Sequence, residues 1–312
     1  MTGMPSARGP ELAAAGSGHV PVRPAATVVV VRDRDISTSA ESAAPAGPLE
    51  VLMLRRSLRA IFMPGVHVFP GGAVDESDRG VDAARLCTGR DDMEASHLLG
   101  VATGGLAWWV AAVRECFEEA GILLAQDARG EPPRLRDPDD VARFARHRAA
   151  LASGVVSLVE VVEAEGLRLP AGALHYFAHW ITPEGERRRY DTRFFVALAP
   201  RGQVTAHDEA ETISHAWVRP AEALARHQAG EIELVLPTIR TLETLARFPQ
   251  SAALMAWARD VGEVRTARPW VVATEDGTEA FLPPDPDDPA GSAVGAAPGG
   301  GRHVGAGGQA GG

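Results

Sequence analysis

The sequence predicts an α/β or α+β domain, and three observations point that way. Short β-branched and aromatic runs alternate along the chain with longer stretches of helical period. One stretch, residues 106–120, carries a two-sided helical pattern, carboxylates on one side and apolar residues on the other. Composition is globular, with 45% apolar and 23% charged residues over 312 positions, enough for a substantial core. That length would allow two domains, but the Gly-, Pro- and Ala-rich ends reduce the folded part. Residues 1–24 and 283–312 are expected to be disordered tails, leaving 25–282 as a single domain.

Taken in order, residues 25–31 read as a buried strand of β-branched residues, and 34–48, small and polar, as a loop. Residues 49–54 are a second strand, pairing with the first across that loop. Residues 62–74 are strand material interrupted by turns, and 76–102 read as irregular with one short helix. Asp137 followed by Pro138 is a helix start, a capping carboxylate with proline in the first turn, so 138–166 should form one or two helices. Residues 174–182 and 192–198 are strands joined by the loop Thr182 to Tyr190. A further strand at 213–218 and helices at 220–229 and 236–248 complete the pattern, with no internal repeat.

Several function classes are excluded by composition. All 31 basic residues are arginine, so a P-loop lysine, a Schiff-base lysine and a lysine-anchored pyridoxal phosphate cannot occur. Asparagine is also absent, which removes any N-glycosylation sequon. A formal charge of −10, with Arg187-Arg188-Arg189 as the one basic cluster, argues against general nucleic-acid binding. Two cysteines, Cys87 and Cys116, cannot build a disulfide framework or a four-thiolate zinc site. Apolar runs fall short of a membrane span, and the N-terminus lacks a basic-then-apolar leader pattern. A soluble, cytoplasmic chain with no nucleic-acid and no membrane partner is the resulting expectation; a homodimer stays open.

The chemistry concentrates in 106–120. With about 100° per residue and Glu115 at zero, Glu118 falls near about −60° and Glu119 near about +40°. Val110, Val113, Phe117 and Ala120 fall between about 140° and 220°, on the opposite side. Like charges at these spacings repel, and a hard divalent cation among them reverses the sign. Gly121 is a natural C-cap, and upstream Gly71-Gly72 permits a tight bend or a close backbone approach. An acidic helix face alone is also what an ordinary solvated surface presents.

Arg114-Glu115-Cys116-Phe117-Glu118-Glu119-Ala120-Gly121-Ile122 resembles the second half of the Nudix box, and the Gly71-Gly72 loop resembles its first half. Asp78 stands where the pattern has a glutamate, and 35 residues, 79–113, stand where it has seven. Such a split box is similar to that of the acyl-coenzyme A diphosphatase group of the family. Met63 to Gly72 and the segments Trp180 to Pro183 and Arg189 to Phe195 resemble its motifs. The resemblance implies a Nudix-type α/β/α sandwich with a mixed sheet and helical insertions at 79–113 and 138–166. It further implies a metal-dependent hydrolase that cleaves a diphosphate linkage in a nucleoside-diphosphate derivative, with coenzyme A or acyl-coenzyme A as the leading small-molecule substrate.

On that reading Glu115, Glu118 and Glu119 hold Mg²⁺ or Mn²⁺, Arg114 orients a box carboxylate, and Gly71 and Gly72 position the diphosphate. Arg188 and Arg189, with Arg187, are candidate phosphate binders; the alternative is an exposed loop. Glu211, in Asp208-Glu209-Ala210-Glu211, is the candidate general base. His67, His175 and His179 read as core or lining residues, and Trp108 and Trp109 as packing at the helix start. The competing class is a non-hydrolytic Nudix-fold sensor of a nucleotide derivative, which the complete set Arg114, Glu115, Glu118, Glu119 and Gly121 disfavours. An ordinary structural domain with an acidic helix is the third reading.

Overall fold

The computed structural model describes residues 20–34, 49–57, 65–133, 135, 137–203, 212–274 and 277–282. Four strands come first: β1 (Val22–Asp33), β2 (Leu49–Arg56), β3 (His67–Val68) and β4 (Gly71–Ala73). Helices α1 (Val81–Leu86), α2 (Asp92–Leu99), α3 (Leu106–Ala120), α4 (Pro138–Ala152) and α5 (Leu158–Ala164) follow. Strands β5 (His175–Ile181), β6 (Arg189–Leu198) and β7 (Thr212–Val218) lead to helices α6 (Pro220–Gln228), α7 (Leu236–Leu245) and α8 (Ser251–Arg259). Strands β8 (Thr266–Ala267), β9 (Trp270–Thr274) and β10 (Gly277–Phe281) come last.

The main sheet runs β3-β2-β1-β6-β5-β8, with β4 also on β1 and β7 on β2; β9 and β10 form a separate hairpin. β1 pairs in parallel with β6 from Val22–Arg189 to Val31–Leu198, and β5 with β8, while the other pairings are antiparallel. The sheet is therefore mixed. Val28 to Val31 in β1 are fully buried, as a β-branched run in the middle of a doubly covered sheet must be. Leu52, Leu54, Val28, Val30 and Phe195 face a core shared with α3 and its neighbours. Met53, Val29, Val31 and Val196 face a second core closed by residues of α6, α7 and α8. Two helical layers on one sheet make the α/β/α sandwich.

Several boundaries differ from the sequence expectation. β1 begins at Val22, so part of the expected N-terminal tail is strand, held by pairing with β6. Residues 76–102 are largely helical, a 3-10 turn at Glu76–Asp78 followed by α1 and α2. The expected insertion 79–113 overlaps the box helix, because 106–113 are the first two turns of α3. β6 starts at Arg189, which takes that residue out of the expected loop. Helix α8 and strands β8 to β10 lie beyond the last expected helix. The segments 1–19, 35–48 and 283–312 lie outside the described residues.

Helix α3 is held at both ends. The Asp92 carboxylate of α2 accepts from the Gly104 and Leu106 N–H groups at 2.8 and 3.0 Å, and Ser96 Oγ accepts from Gly105 N at 2.9 Å. These bonds satisfy donors that the start of a helix leaves free. A Cβ on Gly105 would stand 2.3 Å from Ser96 N, so only glycine lets α2 come this close. At the far end Gly121 adopts φ 69° and donates to the Phe117 carbonyl at 3.0 Å, the left-handed C-cap expected of it.

Candidate active site

The acidic face of α3 lies against β4. Gly71 N donates to Glu119 Oε2 at 3.0 Å. A Cβ on Gly72 would sit 2.3 Å from Glu115 Oε1, so a glycine there is what lets this carboxylate lie on the strand. Gly71 is close-packed in a different way, its absent Cβ facing the Ala26 carbonyl at 2.6 Å. Gly71, Gly72, Glu115 and Glu119 are thus brought together by pairing of β4 on β1 and packing of α3 across both.

Arg114 joins the two halves of the box. Its guanidinium forks onto Asp78, Nε to Oδ1 at 2.8 Å and Nη2 to Oδ2 at 2.9 Å. Nη2 also donates to the Ala73 carbonyl at 2.8 Å, and Nη1 donates to Glu115 Oε1 at 2.8 Å and Glu118 Oε1 at 3.4 Å. Asp78 is 1% exposed and accepts in addition from Asp75 N at 2.8 Å. A planar fork matched to a carboxylate is the strong form of charge-assisted hydrogen bond, and burial strengthens it. The excursion between Asp78 and Arg114 is closed at its neck by this contact.

Burial pushes Glu115 up to about 7, with Glu118 adding in the same direction and Arg114 opposing both. Glu118 is also raised, again chiefly by burial, against the pull of Arg114. For Arg114 burial acts to lower the value, yet Asp78, Glu115 and Glu118 outweigh it and hold the guanidinium charged. Three carboxylates, Asp78, Glu115 and Glu118, thus share one guanidinium.

Among the described residues no group of three or more His, Cys, Asp or Glu side chains is gathered to hold a metal ion as it stands. Glu115 and Glu118 turn to Arg114, and Glu119 turns to the Gly71 N–H. The donor chemistry nonetheless fits a hard divalent cation: all three groups are carboxylates, and burial holds two of them above the usual carboxylate range even beside Arg114.

Other candidates lie elsewhere. Arg189 is buried in β6, donates to the Thr182 carbonyl at 3.2 Å and faces Glu184 at 3.9 Å, so it closes its own hairpin. It is in register with Val22, whereas Gly72 is in register with Ala26, four residues or roughly 13 Å along β1. Arg187 and Arg188 are exposed in the same hairpin. Glu211 lies outside the described residues. His179 is buried, bonded to Asp191 Oδ1 and Thr266 Oγ1 at 2.7 Å each, and pushed down to about 3 by burial and by Arg193 and Arg268. His175 is buried too, and His67 is half-buried in β3. Trp109 packs at a tilt against Phe195, ring centroids 4.6 Å apart, and donates to the Leu174 carbonyl, while the Trp108 ring lies near the guanidinium groups of Arg79 and Arg193.

Sequence reasoning missed Arg148. From α4 its Nε donates to the Glu118 carbonyl at 2.8 Å and its Nη2 to the Glu119 carbonyl at 3.2 Å. Nothing local to Arg148 in the sequence signals this, because the contact spans about one α3–α4 connection.

The chain is similar to known proteins over most of its length. A sequence profile of the NUDT19 Nudix domain matches residues 22–103 and 94–245, two segments that overlap within the excursion. The chain is 29% identical over 288 residues to the acyl-coenzyme A diphosphatase NUDT19 of Gallus gallus, covering 80% of this chain and 76% of that protein. To the protein of the same name from Homo sapiens it is 28% identical over 283 residues, covering 77% and 72%. Among solved structures, a NUDIX hydrolase from Alicyclobacillus acidocaldarius superposes with a TM-score of 0.60 at 30% identity, covering 77% of this chain and 97% of that one.

Proposed function

We propose, from the premise that this chain belongs to the Nudix hydrolases, in the family of the NUDT19 Nudix domain, that it hydrolyses the diphosphate linkage of coenzyme A or an acyl-coenzyme A. The observation that carries the reading is the meeting of Glu115 and Glu119 with the Gly71-Gly72 strand, with Glu118 drawn to the same place by Arg114, which joins the split box to Asp78. The relatives named for acyl-coenzyme A support the substrate class.

In this reaction the oxygen of water bonds to one phosphorus, the bridging P–O bond breaks, and the electron pair leaves with the second phosphate, so both products are phosphomonoesters. Nudix hydrolases generally need divalent metal ions; when bound, Mg²⁺ or Mn²⁺ offsets the charge of carboxylates and diphosphate, polarises phosphoryl oxygens and acidifies water. Glu115, Glu118 and Glu119 are the residues we assign to hold it. Arg114 fixes the rotamers of Glu115 and Glu118 by donating to both, and is itself held by Asp78. Gly72 leaves room for Glu115, and the Gly71 N–H orients Glu119. We assign acceptance of the water proton to Glu211.

The test is a panel of coenzyme A, acyl-coenzyme A esters, NADH, ADP-ribose and dinucleoside polyphosphates, each with Mg²⁺ and Mn²⁺, followed by detection of phosphomonoester products. The expected outcome is metal-dependent cleavage of coenzyme A or its esters at the highest kcat/KM of the panel. Faster cleavage of another member reassigns the substrate, and binding without any product makes the chain a sensor.

The two glycines are expected to separate stability from activity. In Gly72→Ala the new methyl meets the far end of a flexible side chain, so the fold yields while the Glu115 carboxylate is displaced. Its melting midpoint should stay within a few degrees of wild type while turnover falls by about 10²-fold, the usual cost of a misplaced catalytic group. In Gly71→Ala the methyl meets the backbone of Ala26 and Thr27, and stability should fall by about 1–3 kcal/mol. Thermal melting and initial rates on both variants check this; equal turnover in Gly72→Ala and wild type would contradict it.

A further inference from the structure

The last four carbonyls of a helix have no donor within it. In α3 these belong to Phe117, Glu118, Glu119 and Ala120. Gly121 N serves Phe117, and a single side chain from another helix serves the next two: Arg148 of α4 donates Nε to the Glu118 carbonyl and Nη2 to the Glu119 carbonyl, at 2.8 and 3.2 Å. These are the two residues whose carboxylates turn to Arg114 and to Gly71.

The approach of α4 is fixed by packing. Phe144, one turn before Arg148, is buried with its ring edge-on to Phe117 at 6.5 Å, and Leu151, nearly one turn after, is buried as well. Phe144, Arg148 and Leu151 recur at the spacing of one helix face. Arg143 and His147, on the adjoining face, both bind Glu165 just beyond α5, which braces α4 from the other side. Arg148 therefore reaches α3 from a rigid base. Its charge also stands at the negative pole of α3, against the carbonyls of Glu118 and Glu119.

We propose that Arg148 is a positioning residue of the diphosphatase site, gripping the backbone of Glu118 and Glu119 so that both carboxylates meet the cation in a fixed orientation. This rests on the function proposed above. A planar fork spans two successive carbonyls, whereas a lysine ammonium at the same position is a point charge that binds one of them at best. Loss of an outer partner of a metal ligand typically weakens metal binding or activity by about 10–100-fold.

The experiment uses the full chain as wild type, Arg148→Gln and Arg148→Lys. Mn²⁺ is titrated without substrate and followed by thermal shift, and kcat and KM for coenzyme A are measured at saturating Mn²⁺. Arg148→Gln should weaken Mn²⁺ binding by about 10–100-fold and lower kcat, with KM changed by less than about twofold; Arg148→Lys should fall between it and wild type. An Arg148→Gln protein that melts lower but binds Mn²⁺ and turns over like wild type overturns the proposal and leaves Arg148 a structural tie. Should Arg148→Gln fail to fold, Arg148→Lys decides, because wild-type Mn²⁺ affinity in it overturns the proposal equally. A wild-type chain that takes up no Mn²⁺ overturns the functional reading and this proposal with it; a wild type that binds while both variants bind equally overturns the proposal alone.

Discussion

Replacing both carboxylates together, Glu118→Gln with Glu119→Gln, is expected to lower metal-dependent turnover by at least about 10³-fold while the protein stays folded. The size follows from losing two anionic oxygen donors, since the charge stabilisation they make possible is worth several kcal/mol in the transition state. The fold should survive because glutamine keeps the side-chain shape and a carbonyl oxygen. The bond from Gly71 N to residue 119 can still form, and Arg114 keeps Asp78 and Glu115. Glu118 already sits above the usual carboxylate range through burial, so removing its charge relieves a cost. Initial rates at saturating Mg²⁺ or Mn²⁺, with circular-dichroism melting beside them, check the outcome. Undiminished turnover would remove these residues from the chemistry.

The second large effect is on stability. Arg114→Met leaves Asp78, 1% exposed, without the guanidinium that neutralises it, and strips the same partner from Glu115 and Glu118. Breaking one side of a buried pair typically costs about 3–5 kcal/mol, because the abandoned charge has neither water nor partner. For a domain of this size the melting midpoint should fall by roughly 6–20 °C. Adding Asp78→Leu to Arg114→Met should recover much of the loss, since an apolar pair of similar volume no longer strands a charge. A double variant as unstable as Arg114→Met would show that the cost lies in the Ala73 carbonyl and the acidic helix face instead.

Local signals account for what the sequence made readable. Helix α3 was legible to its ends because its period, its Gly121 cap and its charge separation lie within one short window. The Asp137 cap of α4 was legible for the same reason, and its carboxylate does accept from Asp139 N. Helix α8 was not, since its opening residue is secured from a distance: Ser251 N and Oγ donate to the Asp33 carboxylate at 2.7 and 2.8 Å, from the end of β1. Arg189 read as a loop cation because its strand partner Val22 lies far away in the chain. At the site, the box carboxylates and both glycines were legible as a motif. Asp78 was reached only as a box position, by counting from Gly72; its pairing with Arg114, like the contact of Arg148, was signalled by nothing, since both depend on where folding carries distant segments.

The front half of α3, Leu106 to Val113, is buried on all sides, roofed by the excursion that splits the box and tied to it through Asp92 and Ser96. A rod walled in over half its length cannot rock or slide without dismantling the core around it. The glutamates at its other end therefore ride on a fixed post. Whatever motion admits a substrate and lets two products go must be made by the chain around that post, which turns the search for rate-limiting movement away from the helix that carries the glutamates.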